Sequence, residues 1–316
     1  MPRYLAGRVA QALVVLWAAY TVTFIILNVL PSDPITLQLE ASGSDVSQLT
    51  AAQVHALKAH YGLDDPILVQ YFHHLWGALH LDFGMSLTQN VSVGRLITDR
   101  LPSTLLLSAV AVVIMLVLGT SVAFLATYVQ WRPARMLLAR LPAVGVSLPQ
   151  FFVGLLLIQI FSFSLTWLPA TGTHGWRSLV LPSITLALPG AAMLAQLLTR
   201  SLSDTWREPY IVTARAKGLS RWTIQVRHAL RNASLPALTL LGVVVGYTVV
   251  NSVVVEVVFS RNGIGQLAQQ AVLGQDVPVV QAIVLIAAAL FVVVSLLVDL
   301  LYSLLDPRVA RAARAA

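Results

Sequence analysis

The sequence predicts an all-α integral membrane protein: six transmembrane helices, with a small helical extracytoplasmic segment between the first and second. Three observations predict this. Of 316 residues, 57% are hydrophobic and only 10% are charged, whereas a soluble domain carries about 25% charged residues. The shortfall is concentrated in windows with no charge at all, at Val9–Leu30, Leu101–Trp131 and Val277–Val298. Each of these matches or exceeds the roughly 20 apolar residues a helix needs to cross the hydrocarbon core. Finally, the basic residues fall mostly between alternate apolar stretches, as they do in multi-pass proteins.

The first span is expected at about Val9–Leu30. Arg3 and Arg8 precede it, but Leu30-Pro31-Ser32-Asp33-Pro34 follows it instead of a small-x-small cleavage pattern. It is therefore read as a membrane helix and not a removed signal. The segment 31–101 holds seven acidic and three basic residues. Thr50-x-x-Gln53 fits a capping box, Val54, Leu57 and Tyr61 follow at helical spacing, and Gly62 supplies a stop. Asp65-Pro66 reads as N-cap and first helical residue. Leu68, Phe72, Leu75 and Leu79 form an apolar stripe expected to pack against the membrane bundle. The remaining spans are expected near Thr104–Tyr128, Ala143–Thr166, Leu179–Thr199, Leu235–Val258 and Val279–Leu304. Pro149 in the third and Pro182 and Pro189 in the fourth should bend their helices and free carbonyls that neighbours must satisfy. The organisation is thus residues 1–30, the external segment 31–101, and a core at 102–316 with five spans and a loop at 200–234.

Charge sets the orientation. With six spans, fifteen of the 20 basic residues fall on the side of the termini, and only Lys58, Arg95, Arg100, Arg177 and Arg261 on the other. Both termini are therefore expected in the cytoplasm. The same distribution accounts for the net charge of +7 without a nucleic-acid partner. The absence of cysteine excludes disulfides and thiolate metal sites.

The chain lacks catalytic signatures. A P-loop needs lysine after a glycine-rich run and before Ser or Thr, and neither Lys58 nor Lys217 is so placed. No nucleophile elbow, paired-carboxylate site or His-Glu-x-x-His motif stands out, so no catalytic, cofactor-binding or metal-ligating residue is expected. His55, His60, His73, His74 and His80 read as scattered surface histidines, though His73 and His80 share a helical face and a metal or haem contact is the other reading. Gln159, Gln196 and Asn251 lie within spans, placed either along a translocation path or in helix–helix hydrogen bonds. Glu256, at the outer end of the fifth span, is placed either to meet a cationic substrate group or to cap the external loop with Arg261.

The loop between the fourth and fifth spans has its own pattern. Pro209 suits the first position of a short helix with Glu208 before it, and Gly218 suits its end. A second amphipathic stretch, about Ser220–Asn232, sets Ile224, Val226 and Leu230 against Arg221, Arg227, His228 and Arg231. A basic helix lying on the anionic leaflet, a loop that only fixes topology, and a partner-docking surface all fit.

The run Thr213-Ala214-Arg215-Ala216-Lys217-Gly218-Leu219-Ser220, followed by Arg227-His228-Ala229-Leu230-Arg231-Asn232-Ala233-x-Leu235-Pro236, resembles the cytoplasmic loop of bacterial ABC-importer permeases. Within these it resembles the dipeptide/oligopeptide (and nickel) group, and most the B-type dipeptide permease. Val212 and Thr213 replace the Glu-Ala of the general pattern, and Pro236 lies eighteen positions after Gly218, five more than that pattern; both look like the peptide group's variant. Further similarity lies in Leu27-Asn-Val-Leu30-Pro31-x-Asp33-Pro34, Leu81-Asp82-Phe83-Gly84-x-Ser86, Arg100-Leu101-Pro102-x-Thr104, Trp167-Leu168-Pro169-Ala170-x-Gly172, Glu256-x-x-Phe259-Ser-x-x-Gly263-x-Gly265 and Asp299-Leu-Leu-Tyr302-x-Leu-Leu305-Asp306-Pro307-Arg308. The resemblance implies a bacterial cytoplasmic-membrane subunit importing dipeptides or oligopeptides by alternating access, or else glutathione, nickel or haem; a gradient-driven transporter is the distant alternative. It implies that Tyr210, Thr213, Ala214, Arg215, Ala216, Lys217, Gly218, Leu219 and Ser220 form a coupling helix. It also implies a second, homologous permease in a heterodimer, one or two ATPase subunits that use Mg-ATP, and an extracytoplasmic solute-binding protein.

Overall fold

The computed structural model describes residues 2–29 and 66–305. The expected capping box at Thr50, the helix through Tyr61, Asp65, His55, His60 and the motif from Asp306 lie outside the described residues. Helices dominate the rest. They are α1 (Pro2–Val29), α2 (Ile67–Leu79), α3 (Val93–Tyr128), α4 (Arg132–Ser147), α5 (Gln150–Leu157), α6 (Arg177–Thr205), α7 (Pro209–Ala216), α8 (Leu230–Val258), α9 (Ile264–Leu273) and α10 (Val277–Leu305). Two π-helical stretches, Ile158–Ser164 and Ile224–Ala229, continue α5 and precede α8. A short turn, Arg221–Thr223, opens the second of these.

Among the described residues five helices are long and apolar enough to span a membrane: Gly7–Leu27 of α1, and α3, α6, Leu240–Val258 of α8 and Val277–Leu297 of α10. The pair Arg132–Ser147 and Gln150–Ser164 makes the sixth, bent by 105°. The expected count of six therefore holds, but the third span is not the single helix Ala143–Thr166. Leu148, the residue before a proline, is driven out of the helical region to φ −84°, ψ 131°, and Pro149 follows at φ −60°, ψ 133°. The chain turns at this pair and restarts.

The chain packs as two compact units. The first comprises Met1–Thr104 and Asn262–Leu290, the second Leu105–Arg261 and Phe291–Ala316. In the first, Val93, Leu96 and Ile97 of α3 bury against Ile264, Leu267 and Ala271 of α9 and Val279, Ala282 and Ile283 of α10. Its polar centre is Asp276, 1% exposed, immediately before α10. The carboxylate accepts from the Leu87 amide at 3.1 Å, the Thr88 amide at 3.2 Å, the Thr88 hydroxyl at 2.8 Å and the Ser86 hydroxyl. A buried carboxylate is tolerable only when donors surround it in this way. The turn before Ser86 is set by Gly84, at φ +76°, whose amide donates to Asp82 Oδ1 at 3.1 Å. Thr104 Oγ1 accepts from the Ile264 amide at 2.9 Å, and Arg100 Nε donates to Asn262 Oδ1 at 2.9 Å.

Helix α2 departs from expectation. Leu68, Phe72 and Leu79 of the apolar stripe are 69%, 64% and 70% exposed. Of the stripe only Leu75 is partly buried, and it shares the packed face with Gln70, Tyr71, His74 and Ala78. Tyr71 is the cause: its ring packs tilted at 5.3 Å from Tyr20 and edge-on at 5.2 Å from Phe24 of α1, and its hydroxyl pairs with Thr21 at 2.8 Å. Pro66 occupies the position before α2, with Ile67 as its first helical residue.

In the second unit α6 is the central element, with 67% of its apolar window buried. Small residues let helices approach it, as is usual in membranes. A Cβ on Gly190 would come within 2.4 Å of Met115 Sδ, and one on Gly119 within 2.9 Å of the Ala191 carbonyl. Both prolines of α6 remain inside a continuous helix, and each frees the carbonyl four residues back. Pro189 frees that of Thr185, which accepts from Gln150 Nε2 at 3.4 Å; Pro182 frees that of Ser178, which accepts from Arg261 Nη1 at 3.0 Å.

Candidate functional site

The loop expected at 200–234 is shorter than its sequence suggests, because α6 runs to Thr205 and helical structure resumes at Arg221. Between them α7 runs from Pro209 to Ala216, and Gly218 just beyond it takes φ +77°. Its inner face is Ile211 and Ala214, buried against Ile224 with Trp206 beside them. Its outer face exposes Tyr210, Val212, Thr213, Arg215, Ala216 and Lys217, and the chain beyond it exposes Gly218, Leu219 and Ser220. Ala214 thus serves the packing of α7 and does not reach the outer surface.

A polar hub holds α7 to the spans. Trp206 Nε1 donates to Gln225 Oε1, and Gln225 Nε2 donates to Thr127 Oγ1 at 2.7 Å. Gln225 is fully buried, inside the π-helical stretch. Arg221 Nη2 donates to the Thr127 carbonyl at 2.9 Å, near the end of α3. The Trp206 ring lies between two guanidinium groups, Arg215 at 4.9 Å and Arg221 at 5.3 Å, each a cation–π contact. Asn232 Nδ2 donates to the Tyr210 hydroxyl at 2.7 Å, and Ser220 caps the Arg221 turn by accepting from the Thr223 amide. The π-helical geometry, uncommon and often found at functional positions, lies where this segment joins α8. Trp206, Gln225 and Thr127 were missed by sequence reasoning. A glutamine set directly between Ile224 and Val226 in an amphipathic stretch is the signal that marks the hub.

Gln159, Gln196 and Asn251 are all exposed on apolar helices. Glu256 is instead fully buried, and Arg261 is 3% exposed. Burial lowers the Arg261 pKa from its ordinary value, against the opposing pull of the Glu256 charge. Arg261 also reaches the Gly172 carbonyl at 3.4 Å, and the Gly172 amide donates to the Phe259 carbonyl at 3.1 Å. The loop before α6 is thereby stapled to the end of α8. Among the histidines, His80 Nδ1 bonds the Trp76 carbonyl at 2.8 Å, and His74 has its pKa lowered by burial and by His73. No group of three potential metal ligands occurs among the described residues.

Residues 119–311 match the family "Binding-protein-dependent transport system inner membrane component", and residues 1–108 match its N-terminal companion, "Binding-prot-dependent transport system membrane comp, N-term". The chain belongs to this family. As a binding-protein-dependent permease it is a multi-pass membrane subunit of an ABC importer and not an enzyme. A putative peptide transport system permease protein of Brucella suis is 36% identical, covering 98% of this chain and 99% of that protein. The glutathione transport system permease protein of Escherichia coli K12 is 33% identical over the same shares. Among solved structures, a methionine ABC transporter in an inward-facing conformation has a TM-score of 0.58 at 16% identity, covering 67% of this chain and 96% of that one. That likeness carries the permease fold. The resemblance read from the loop and the flanking motifs therefore identified the right family and its peptide-type relatives.

Proposed function

We propose that this permease subunit imports dipeptides or oligopeptides by alternating access, with α7 as the contact for a separate ATPase. The observation that carries the reading is the construction of α7. It is a short helix with an exposed outer face, whose inner face is pinned by a buried polar hub to α3 and α8. A push on Tyr210, Val212, Lys217 or Leu219 is then transmitted to the spans and not absorbed by a loose loop. The chain has no P-loop, so one or two ATPase subunits supply the hydrolysis of Mg-ATP. A second homologous permease completes a heterodimer, and an extracytoplasmic solute-binding protein delivers cargo. Both termini are cytoplasmic in this arrangement, within the cytoplasmic membrane of a bacterium.

Gln159, Gln196 and Asn251 suit the translocation path, because a polar side chain exposed on a span is unfavourable against lipid and needs a partner helix or a wet cavity. Glu256, sealed beside Arg261, suits the stapling role. Glutathione is the second cargo reading, favoured by the Escherichia coli relative, and it is itself a peptide; nickel and haem stand behind it.

Charge reversal on the outer face tests the contact. Arg215→Glu with Lys217→Glu, and separately Val212→Glu, at a side chain 60% exposed, should abolish import and leave membrane insertion normal. Normal import in both variants overturns the assignment. Uptake of a labelled dipeptide against labelled glutathione decides the cargo.

A further inference from the structure

We infer that α2 is a lipid-inserted helix, seated in the leaflet beside the C-terminal end of α1, and not a water-exposed cap. Under the proposed orientation this is the outer leaflet. The inference uses only the membrane family and unit-one geometry, so it does not depend on the cargo or on α7.

Depth is the first argument. The apolar window Gly7–Leu27 of α1 has 21 residues, about 31 Å at the helical rise, which matches the hydrocarbon thickness. Helix α2 does not sit beyond this window but against it. The Tyr20 hydroxyl donates to the Tyr71 carbonyl at 2.8 Å, the Thr21 hydroxyl pairs with the Tyr71 hydroxyl, and Tyr71 packs on Phe24. Tyr20 lies seven residues inside Leu27, roughly 10 Å below the window's end at the helical rise.

The second argument is the inverted amphipathicity of α2. In water a helix turns polar residues outward. Here Gln70, 9% exposed, together with Tyr71 and His74, faces inward. Ile67, Leu68, Phe72, Trp76 and Leu79 face outward at 53% to 70% exposure, with His73 as the one polar side chain among them. Over Ile67–Leu79 there is no Asp, Glu, Lys or Arg. A contiguous apolar face of this kind on a membrane protein, carrying a tryptophan, is what the aromatic interface zone of a bilayer accepts. The rest of α1 at this level is likewise apolar and exposed, through Val22, Ile25 and Ile26, so the surrounding medium there is lipid.

The chain has no cysteine, which allows a direct measurement. Phe72→Cys, Trp76→Cys and, as a water-side reference, the exposed Gln89→Cys are each nitroxide-labelled. The full chain is reconstituted in nanodiscs with its co-purifying subunits. Collision rates are read with dissolved oxygen and with a water-soluble nickel chelate. Labels at 72 and 76 should favour oxygen over the chelate and report a depth of about 5–10 Å below the headgroups, while the label at 89 favours the chelate. Chelate access at 72 and 76 equal to that at 89 overturns the inference in favour of a water-exposed cap. Exclusion of both probes also overturns it, because a protein surface would then cover α2.

Discussion

Gln225 concentrates the chemistry beneath α7 in one side chain. Its amide takes the indole proton of Trp206 and gives its own to Thr127, and it is fully buried. Removing one member of such a network leaves its neighbours unpaired, at about 1–3 kcal/mol for each buried group. Gln225→Leu should therefore lower import sharply while the chain still inserts, measured as uptake against membrane-extracted protein; Gln225→Glu should fare better than Leu, since it still accepts from Trp206. The Glu256 and Arg261 pair follows a different rule. Leaving one buried charge without its partner costs about 3–5 kcal/mol, more than removing both. Arg261→Met alone should lower the thermal midpoint in detergent more than the double variant Glu256→Gln/Arg261→Met. Equal losses would mean that Arg261 acts through the Ser178 and Gly172 carbonyls alone. These pairings were only partly legible in the sequence. Glu256 and Arg261 lie five apart at the end of an apolar run and suggest each other, whereas nothing local links Thr127 to a glutamine 98 positions away.

At the scale of elements, proline explains much of the shape. It breaks the third span at Leu148–Pro149, where the chain is extended, yet leaves α6 continuous at Pro182 and Pro189 because side chains take over the freed carbonyls. A count of charge-free residues locates spans well, but it does not see a break that costs no charge, so Ala143–Thr166 reads as one helix until its dihedrals are known. The role of Gln150 can be isolated by a double-mutant cycle. Gln150→Leu should cost about 1 kcal/mol in the natural background, and less when Pro189→Ala restores the intrahelical bond to Thr185; thermal unfolding of the four proteins checks this. Packing of α6 tolerates less. Gly190→Val should displace Met115 and Val244 and reduce stability by about 1–3 kcal/mol, read in the same assay. Helix α2 was misread in its facing for a plain reason: apolar and aromatic residues occur all round it, so periodicity found a stripe but not the direction in which the stripe points.

The whole molecule is a membrane subunit, and the orientation proposed from its charge distribution is measurable. Reporter fusions at Met1 and Ala316 should both be active only as cytoplasmic reporters, and a fusion within residues 31–65 only as an extracytoplasmic one; the opposite pattern would invert the positive-inside reading. The family was legible because its motifs are structural. Gly84 and Ser86 build the clasp on Asp276, while Arg100 and Thr104 hold the turn at Asn262–Ile264. The clasp also has a consequence for biosynthesis. Its donors leave the ribosome about 190 residues before their acceptor, and the first unit joins two segments separated in sequence by residues 105–261. Until Asp276 has been made, the Leu87 and Thr88 amides lack their carboxylate acceptor. The clasp therefore closes late in synthesis, and a nascent chain stalled before Asp276 should be clipped by external protease near Thr88 while the finished subunit resists.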